Sequence, residues 1–119
     1  MRTDKAIRES GFEGTIHFRA PYGNKLIILP LILKEMNRPH ILFDIIAKDW
    51  ELPSPELITE RVMSKLHPGA IILLHDAVGE GTGEDRANTV NSIERIIENV
   101  KAANYEFVTV SKLLEEESK

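Results

Sequence analysis

The sequence predicts an α/β fold in which about four mostly parallel strands alternate with helices. Three observations carry that expectation. Ile71–Leu74 is a short, continuous, β-branched run of the kind buried on both faces of a parallel sheet. Comparable runs at Thr15–Ala20, His40–Ile46 and Tyr105–Val110 are separated by segments of helical periodicity, the pattern of βαβ units. The residues richest in chemistry stand at carboxyl ends of successive runs: Arg19 after the first, Asp49 after the second and His75 after the third. That end of an α/β sheet is where ligands bind and chemistry is placed.

Taken in order, Ala6–Ser10 reads as the last turns of a helix, and Gly11 and Gly14 mark turns. In the Thr15–Ala20 strand His17 and Arg19 share one face, and Pro21-Tyr22-Gly23 stops it. Leu26–Asn37 is expected to be helical, with Pro30 in or near its first turns. It is apolar nearly all round, which predicts cover on more than one side. His40–Ile46 is a second buried-type strand, and Ala47–Pro53 a loop. Ser54-Pro55-Glu56 is a strong helix start: a capping hydroxyl, a proline at the first helical position and an acid against the dipole. That helix should run to about His67 with Ile58, Val62 and Leu66 on one stripe, ended by Pro68-Gly69. On the Ile71–His75 strand, Ile71, Leu73 and His75 share one face, Ile72 and Leu74 the other. A loop over Ala77–Asp85 leads to a helix over Arg86–Ala103, with Val90, Ile93, Ile97 and Val100 facing a core and Asn104 closing it in the left-handed conformation. Ser111 is expected to cap a terminal helix that frays into the acidic tail.

Composition narrows the function classes. With 119 residues the chain is one domain at most, and 42% hydrophobic and 29% charged residues are globular values. A net charge of −4 offers no electrostatic reason to expect nucleic acid or an anionic membrane as partner. Without cysteine there is no disulfide, thiolate metal site or cysteine nucleophile. No stretch reads as a signal peptide or membrane span, and the compartment stays unknown.

The residue types suggest roles. Asp49 can accept a hydrogen bond from one ring nitrogen of His75, fixing the tautomer and favouring the protonated ring of a general acid. Trp50 offers a flat apolar wall suited to a sugar ring, and Arg19 a fixed charge that can orient a carboxylate. Each also has a structural explanation: a strand-end histidine bonded to a loop, a capping aspartate, a half-buried tryptophan, a surface ion pair.

Their order and spacing resemble one family, the polysaccharide deacetylases of carbohydrate esterase family four, or NodB-homology enzymes. The match runs from about Ile16 to Leu114. The family's Arg-x-Pro-aromatic motif stands as Arg19-Ala20-Pro21-Tyr22, its Asp-Trp motif as Asp49-Trp50, and its Leu-x-His motif as Leu73-Leu74-His75. Asp85-Arg86, Thr89, Ile97 and Tyr105–Thr109 look like the closing segment. The resemblance implies the carboxyl-terminal part of a distorted (β/α) barrel, and metal-dependent removal of N- or O-acetyl groups from a sugar polymer. It implies that His75 protonates the leaving group, Asp49 tunes it, and Arg19 orients the catalytic base. Leu73 would line the pocket for the acetyl methyl, Trp50 and Pro21 would flank the groove, and the backbone N–H of Tyr22 would serve the oxyanion site.

The sequence departs from the family in one decisive respect. Neither the Asp-Asp pair nor the His-x-x-x-His pair, which hold the zinc- or cobalt-type metal and the base, occurs here. No two of His17, His40, His67 and His75 lie three or four apart. Ile46 also stands where the family often has an aspartate. Residues 1–119 are therefore expected to form a single partial domain that binds no metal and is inactive by itself. The alternative is a non-catalytic product that at most binds glycan. Acetylated polysaccharide, and either a second copy or a complementing amino-terminal half, are the expected partners. Four strands cannot close a barrel, and the faces carrying Ile41, Phe43, Ile45, Ile71 and Leu73 would meet water, which predicts a homodimer.

Overall fold

The computed structural model describes residues 2–21, 28–77 and 85–117. The chain divides into two compact units, Met1–Leu42 and Phe43–Lys119.

In the first unit, α1 (Arg2–Glu9) and α2 (Leu29–Glu35) flank an extended segment. Asp4 and Arg38 form a fork-to-fork pair at 2.8 and 3.1 Å that ties α1 to the exit of α2. Pro30 falls in the first turn of α2, where its missing N–H costs nothing, so it starts the helix and does not kink it. Asn37 closes α2 at φ 47°, with its N–H on Lys34 and that of Arg38 on Leu33. Only Leu33 of α2 is buried, while Leu31, Ile32 and Met36 are exposed. Among the described residues of the unit, the cover expected for this helix is not found. Of the expected Thr15–Ala20 strand, one parallel bridge is formed, between Phe18 and His40. His40 Nε2 accepts the Ala20 N–H at 3.2 Å.

The second unit contains β1 (Ile45–Ile46), α3 (Pro55–Met63), β2 (Ile72–Leu73), α4 (Ala87–Ala102) and α5 (Val110–Glu117). β1 and β2 pair in parallel, Ile45 with Ile72 and Ile46 with Leu73. Between them and the helices lies the core: Ile45, Ala47, Ile58, Val62, Ile96 and Val100, flanked by Ile72, Leu74 and Leu66. Ser54 caps α3 by accepting the Leu57 N–H at 3.3 Å, and Pro55 is its first residue, as expected. α3 ends at Met63, short of His67, in tighter turns that place the Lys65 N–H on Val62 and the Leu66 N–H on Met63. Asn104 closes α4 at φ 69°; its N–H meets the Lys101 carbonyl and that of Tyr105 meets Val100.

Five expectations are corrected. Among the described residues the strands are two residues long, because aspartate side chains intercept the ladder at both ends. The Asp44 carboxylate takes the Ile71 N–H at 2.8 Å, and the Asp49 carboxylate takes the His75 N–H at 2.7 Å. Tyr105–Val110 forms no strand: Tyr105 is consumed by the closure of α4, and Val110 opens α5. The cap there is Thr109, whose hydroxyl accepts the Lys112 N–H at 3.3 Å, and not Ser111. The buried stripe of α4 is Thr89, Ser92, Ile96 and Val100, leaving Val90, Ile93 and Ile97 exposed. The helix is rotated because Thr89 and Ser92 satisfy their hydroxyls inside, on Asp49 and on the Thr89 carbonyl. Finally, Ile45 shares the helix-facing side with its register partner Ile72, so the face opposite the helices carries Ile46, Ile71 and Leu73. The elements are nonetheless those of a partial (β/α) barrel, a small parallel sheet with helices alternating along the chain. No helix among the described residues is long and apolar enough to cross a membrane.

Candidate active site

β1 leads into Ala47 and then a turn that reverses the chain within a few residues. Lys48 (φ 53°) and Leu52 (φ 55°) are both left-handed, and Asp49–Glu51 between them is a single 3₁₀ turn. Non-glycine residues enter that region at a cost of roughly 1–2 kcal/mol each, so something must hold the turn. Arg61 of α3 donates to the Ala47 carbonyl at 3.0 Å, and the buried Arg86 donates to the Asp49 carbonyl at 3.2 Å.

So held, the Asp49 side chain is 1% exposed and fully engaged. Its Oδ1 lies 2.9 Å from His75 Nδ1. Its Oδ2 accepts the His75 backbone N–H at 2.7 Å and the Thr89 hydroxyl at 3.1 Å. Burial pushes the carboxyl upward, but the ring and backbone N–H of His75 and the Thr89 hydroxyl outweigh it and hold Asp49 below the ordinary value of 3.8. An ionised carboxylate only accepts, so Nδ1 of His75 carries a proton and Nε2 is the nitrogen left to meet a substrate. The His75 side chain is 37% exposed. Trp50 stands edge-on to it, ring centroids 5.5 Å apart at 88°, and is itself exposed. Leu73 is half-buried on the strand face that leads to His75.

Of the predicted site residues, the second unit thus brings together Asp49, Trp50 and His75, with Leu73 two residues before the histidine. Arg19 and Pro21 belong to the first unit; the Arg19 guanidinium donates to the Ile41 and Leu42 carbonyls at 3.2 and 3.3 Å, and Pro21 is exposed. Tyr22 lies outside the described residues. Sequence reasoning assigned no role to Arg86 or Thr89. The available signal was a cation and a hydroxyl three positions apart at the start of α4, on one helical face. A hollow of about 290 Å³ opens at the other end of β2, lined by Leu66, His67, Ile71, Tyr105 and Phe107 among others, and holds none of the predicted site residues.

Among the described residues no three or more His, Cys, Asp or Glu side chains are grouped so as to hold an ion. A catalytic zinc site takes three protein ligands.

The carboxyl edge of the parallel sheet thus presents a buried aspartate, an oriented imidazole and an exposed indole, a histidine–carboxylate pair on a partial (β/α) scaffold. Comparison with known proteins narrows it. No protein-family model matches the chain. It is 40% identical over 67 residues to a peptidoglycan-N-acetylglucosamine deacetylase of Bacillus cereus, covering 56% of this chain and 29% of that protein. The solved peptidoglycan deacetylase PdaC of Bacillus subtilis superposes with TM-score 0.74 at 28% identity, covering 97% of this chain and 51% of that one. A family-four pseudoenzyme from Bacillus anthracis shares the fold, with TM-score 0.76 at 24% identity over 95% of this chain and 37% of that one. The chain is thus similar to peptidoglycan and chitooligosaccharide deacetylases and to solved deacetylases of carbohydrate esterase family four. It spans less than a third of the curated relative's length and about half or less of the solved chains.

Proposed function

We propose that this chain carries the proton-donating half of a deacetylase site, which removes acetyl groups from an N- or O-acetylated sugar polymer when metal and base are supplied by residues it does not contain. The observation that carries the reading is the grip of the buried Asp49 carboxylate on His75 Nδ1 at 2.9 Å. With Nδ1–H held by Asp49, the doubly protonated ring gives its Nε2 proton to the leaving sugar nitrogen or oxygen as the bond to the acetyl carbon breaks and water takes its place there, leaving a neutral ring with Nδ1–H still on the Asp49 carboxylate. Trp50 lies beside a sugar ring and Leu73 borders the acetyl methyl. Arg19 orients the base. The described residues form no site for a metal.

A second reading is non-catalytic: the exposed Trp50 ring and His75 bind glycan without turnover. The two are separated by measuring acetate release from acetylated chito-oligosaccharide with the chain alone and with a segment carrying the Asp-Asp and His-x-x-x-His patterns. The chain alone is expected to take up no zinc or cobalt stoichiometrically and to release no acetate. Where complementation restores turnover, His75→Ala should lower it roughly a hundred- to ten-thousand-fold. A His75→Ala protein as active as its parent would remove the histidine from the mechanism. Glycan binding with no turnover under any complementation would favour the second reading.

A further inference from the structure

We propose that Arg86 and Thr89 are the positioning residues of the Asp49–His75 pair, so that α4 sets the direction in which the imidazole works; this rests on the reading of that pair given above. The parallel ladder stops at Leu73, so neither member of the pair is held by strand pairing. The bonds between them do not solve the problem. Both the ring and the backbone N–H of His75 go to Asp49, which fixes the aspartate to the histidine but fixes neither to the body of the protein.

The bonds that tie Asp49 outward, beyond its own turn, come from the start of α4, and they take hold of different parts of it. Arg86 Nη1 donates to the main-chain carbonyl at 3.2 Å, which pins the backbone of a turn bounded by two left-handed residues. Thr89 Oγ1 donates to Oδ2 at 3.1 Å, which pins the carboxylate against rotation about χ2, a soft torsion in aspartate. Both donors are buried, and a β-branched threonine in a helix has few χ1 choices, so its hydroxyl direction is itself fixed. Four and eight residues on from Ser92, the same face carries Ile96 and Val100 into the core. The anchor is therefore a 16-residue helix locked by packing, not a loop.

Thr89→Val keeps shape and methyl packing and removes only the donor; Thr89→Ser restores the donor. In the intact chain, ¹³C and ¹⁵N NMR should show the Asp49 carboxyl titrating closer to the ordinary 3.8 in Thr89→Val, and the His75 Nδ1–H resonance weakened by exchange. The serine variant should return both toward the parent. Arg86→Lys, which keeps the charge but shortens the reach, should weaken the same Nδ1–H signal. In the complemented enzyme Thr89→Val should lower kcat about ten- to a hundred-fold with KM little changed, the signature of misplacement and not of lost binding. A folded Thr89→Val protein whose Asp49 titration and His75 ring signal match the parent would overturn the proposal. If instead those signals move but His75→Ala leaves acetate release intact, the positioning holds and the catalytic reading of the pair is what fails.

Discussion

Replacing Asp49 by asparagine tests the centre of the site at one atom's cost. Three donors converge on the carboxylate: the His75 ring N–H, the His75 backbone N–H and the Thr89 hydroxyl. Asparagine has one oxygen. If that oxygen keeps the Oδ2 position, the new NH₂ faces His75 Nδ1, and the ring must move its proton to Nε2 to accept it. The contacts survive in number but lose their charge, and hydrogen bonds to charged groups are worth about 1.5–3 kcal/mol against about 1 for neutral ones. Summed over three bonds, the loss should be about 2–3 kcal/mol near pH 7. In a domain of this size that is on the order of 10 °C or more in Tm. Urea unfolding followed by the emission of Trp50, the sole tryptophan, reads the unit that contains the pair. The pH dependence supplies the sign. Asp49 is held below 3.8, so its contribution is fully present above the unfolded value and lost as pH falls through the lower folded one. The gap between parent and Asp49→Asn should therefore narrow on acidification below about pH 4. A loss under about 0.5 kcal/mol at pH 7, or a gap that widens in acid, would refute the reasoning. So would an Nδ1–H signal that persists in the asparagine variant.

Other outcomes follow from the same structure. The His67 ring lies between the Pro68 carbonyl at 2.8 Å and the Asp44 carboxylate, and these partners, Pro68 first, outweigh burial and raise it above 6.5. Its contribution is present below 6.5 and lost as pH rises through the raised value, so His67→Gln should flatten the stability profile on that limb, checked by thermal melts from pH 5 to 9. Ser54→Ala removes the cap of α3 and should cost about 1 kcal/mol in urea titrations, with an unchanged melt counting against the cap. The exposed Leu31 and Ile32 of α2 with Met36 just after it, and Val90, Ile93 and Ile97 of α4, favour self-association. Sedimentation equilibrium at micromolar concentration should give a dimer, and a 13.5 kDa monomer that ignores a hydrophobic dye would exclude it.

What was legible in the sequence was local. Ser54 and Asn104 act through bonds that span three to five residues, so residue type and spacing suffice to place them. The pair Asp49–His75 was legible too, because successive parallel strands bring their carboxyl ends together whatever lies between. The turned face of α4 was not. Periodicity ranks Val90 and Ile93 above Thr89 and Ser92, and only contact with a residue forty positions away reverses the order. Strand length was illegible for the same reason: the acids that cut the ladder are recognisable as ends only once their partners are in place.

The parity of β1 explains why one member of the pair is buried and the other open. Ile45 and Ala47 point to the helices, and Asp49 stands at the next position of the same parity, which carries it inward to Thr89. Ile72 and Leu74 point the same way on β2, which leaves Leu73 and His75 on the opposite side, at the rim. Continued extended strands would keep the two side chains on opposite faces of the sheet. The left-handed Lys48 turns the chain at the end of β1, and the Asp49 carboxylate reaches the end of β2, where the His75 ring meets it. The strained turn is thus what joins a buried acid to an accessible imidazole, and two arginines, Arg61 and Arg86, hold it through the Ala47 and Asp49 carbonyls.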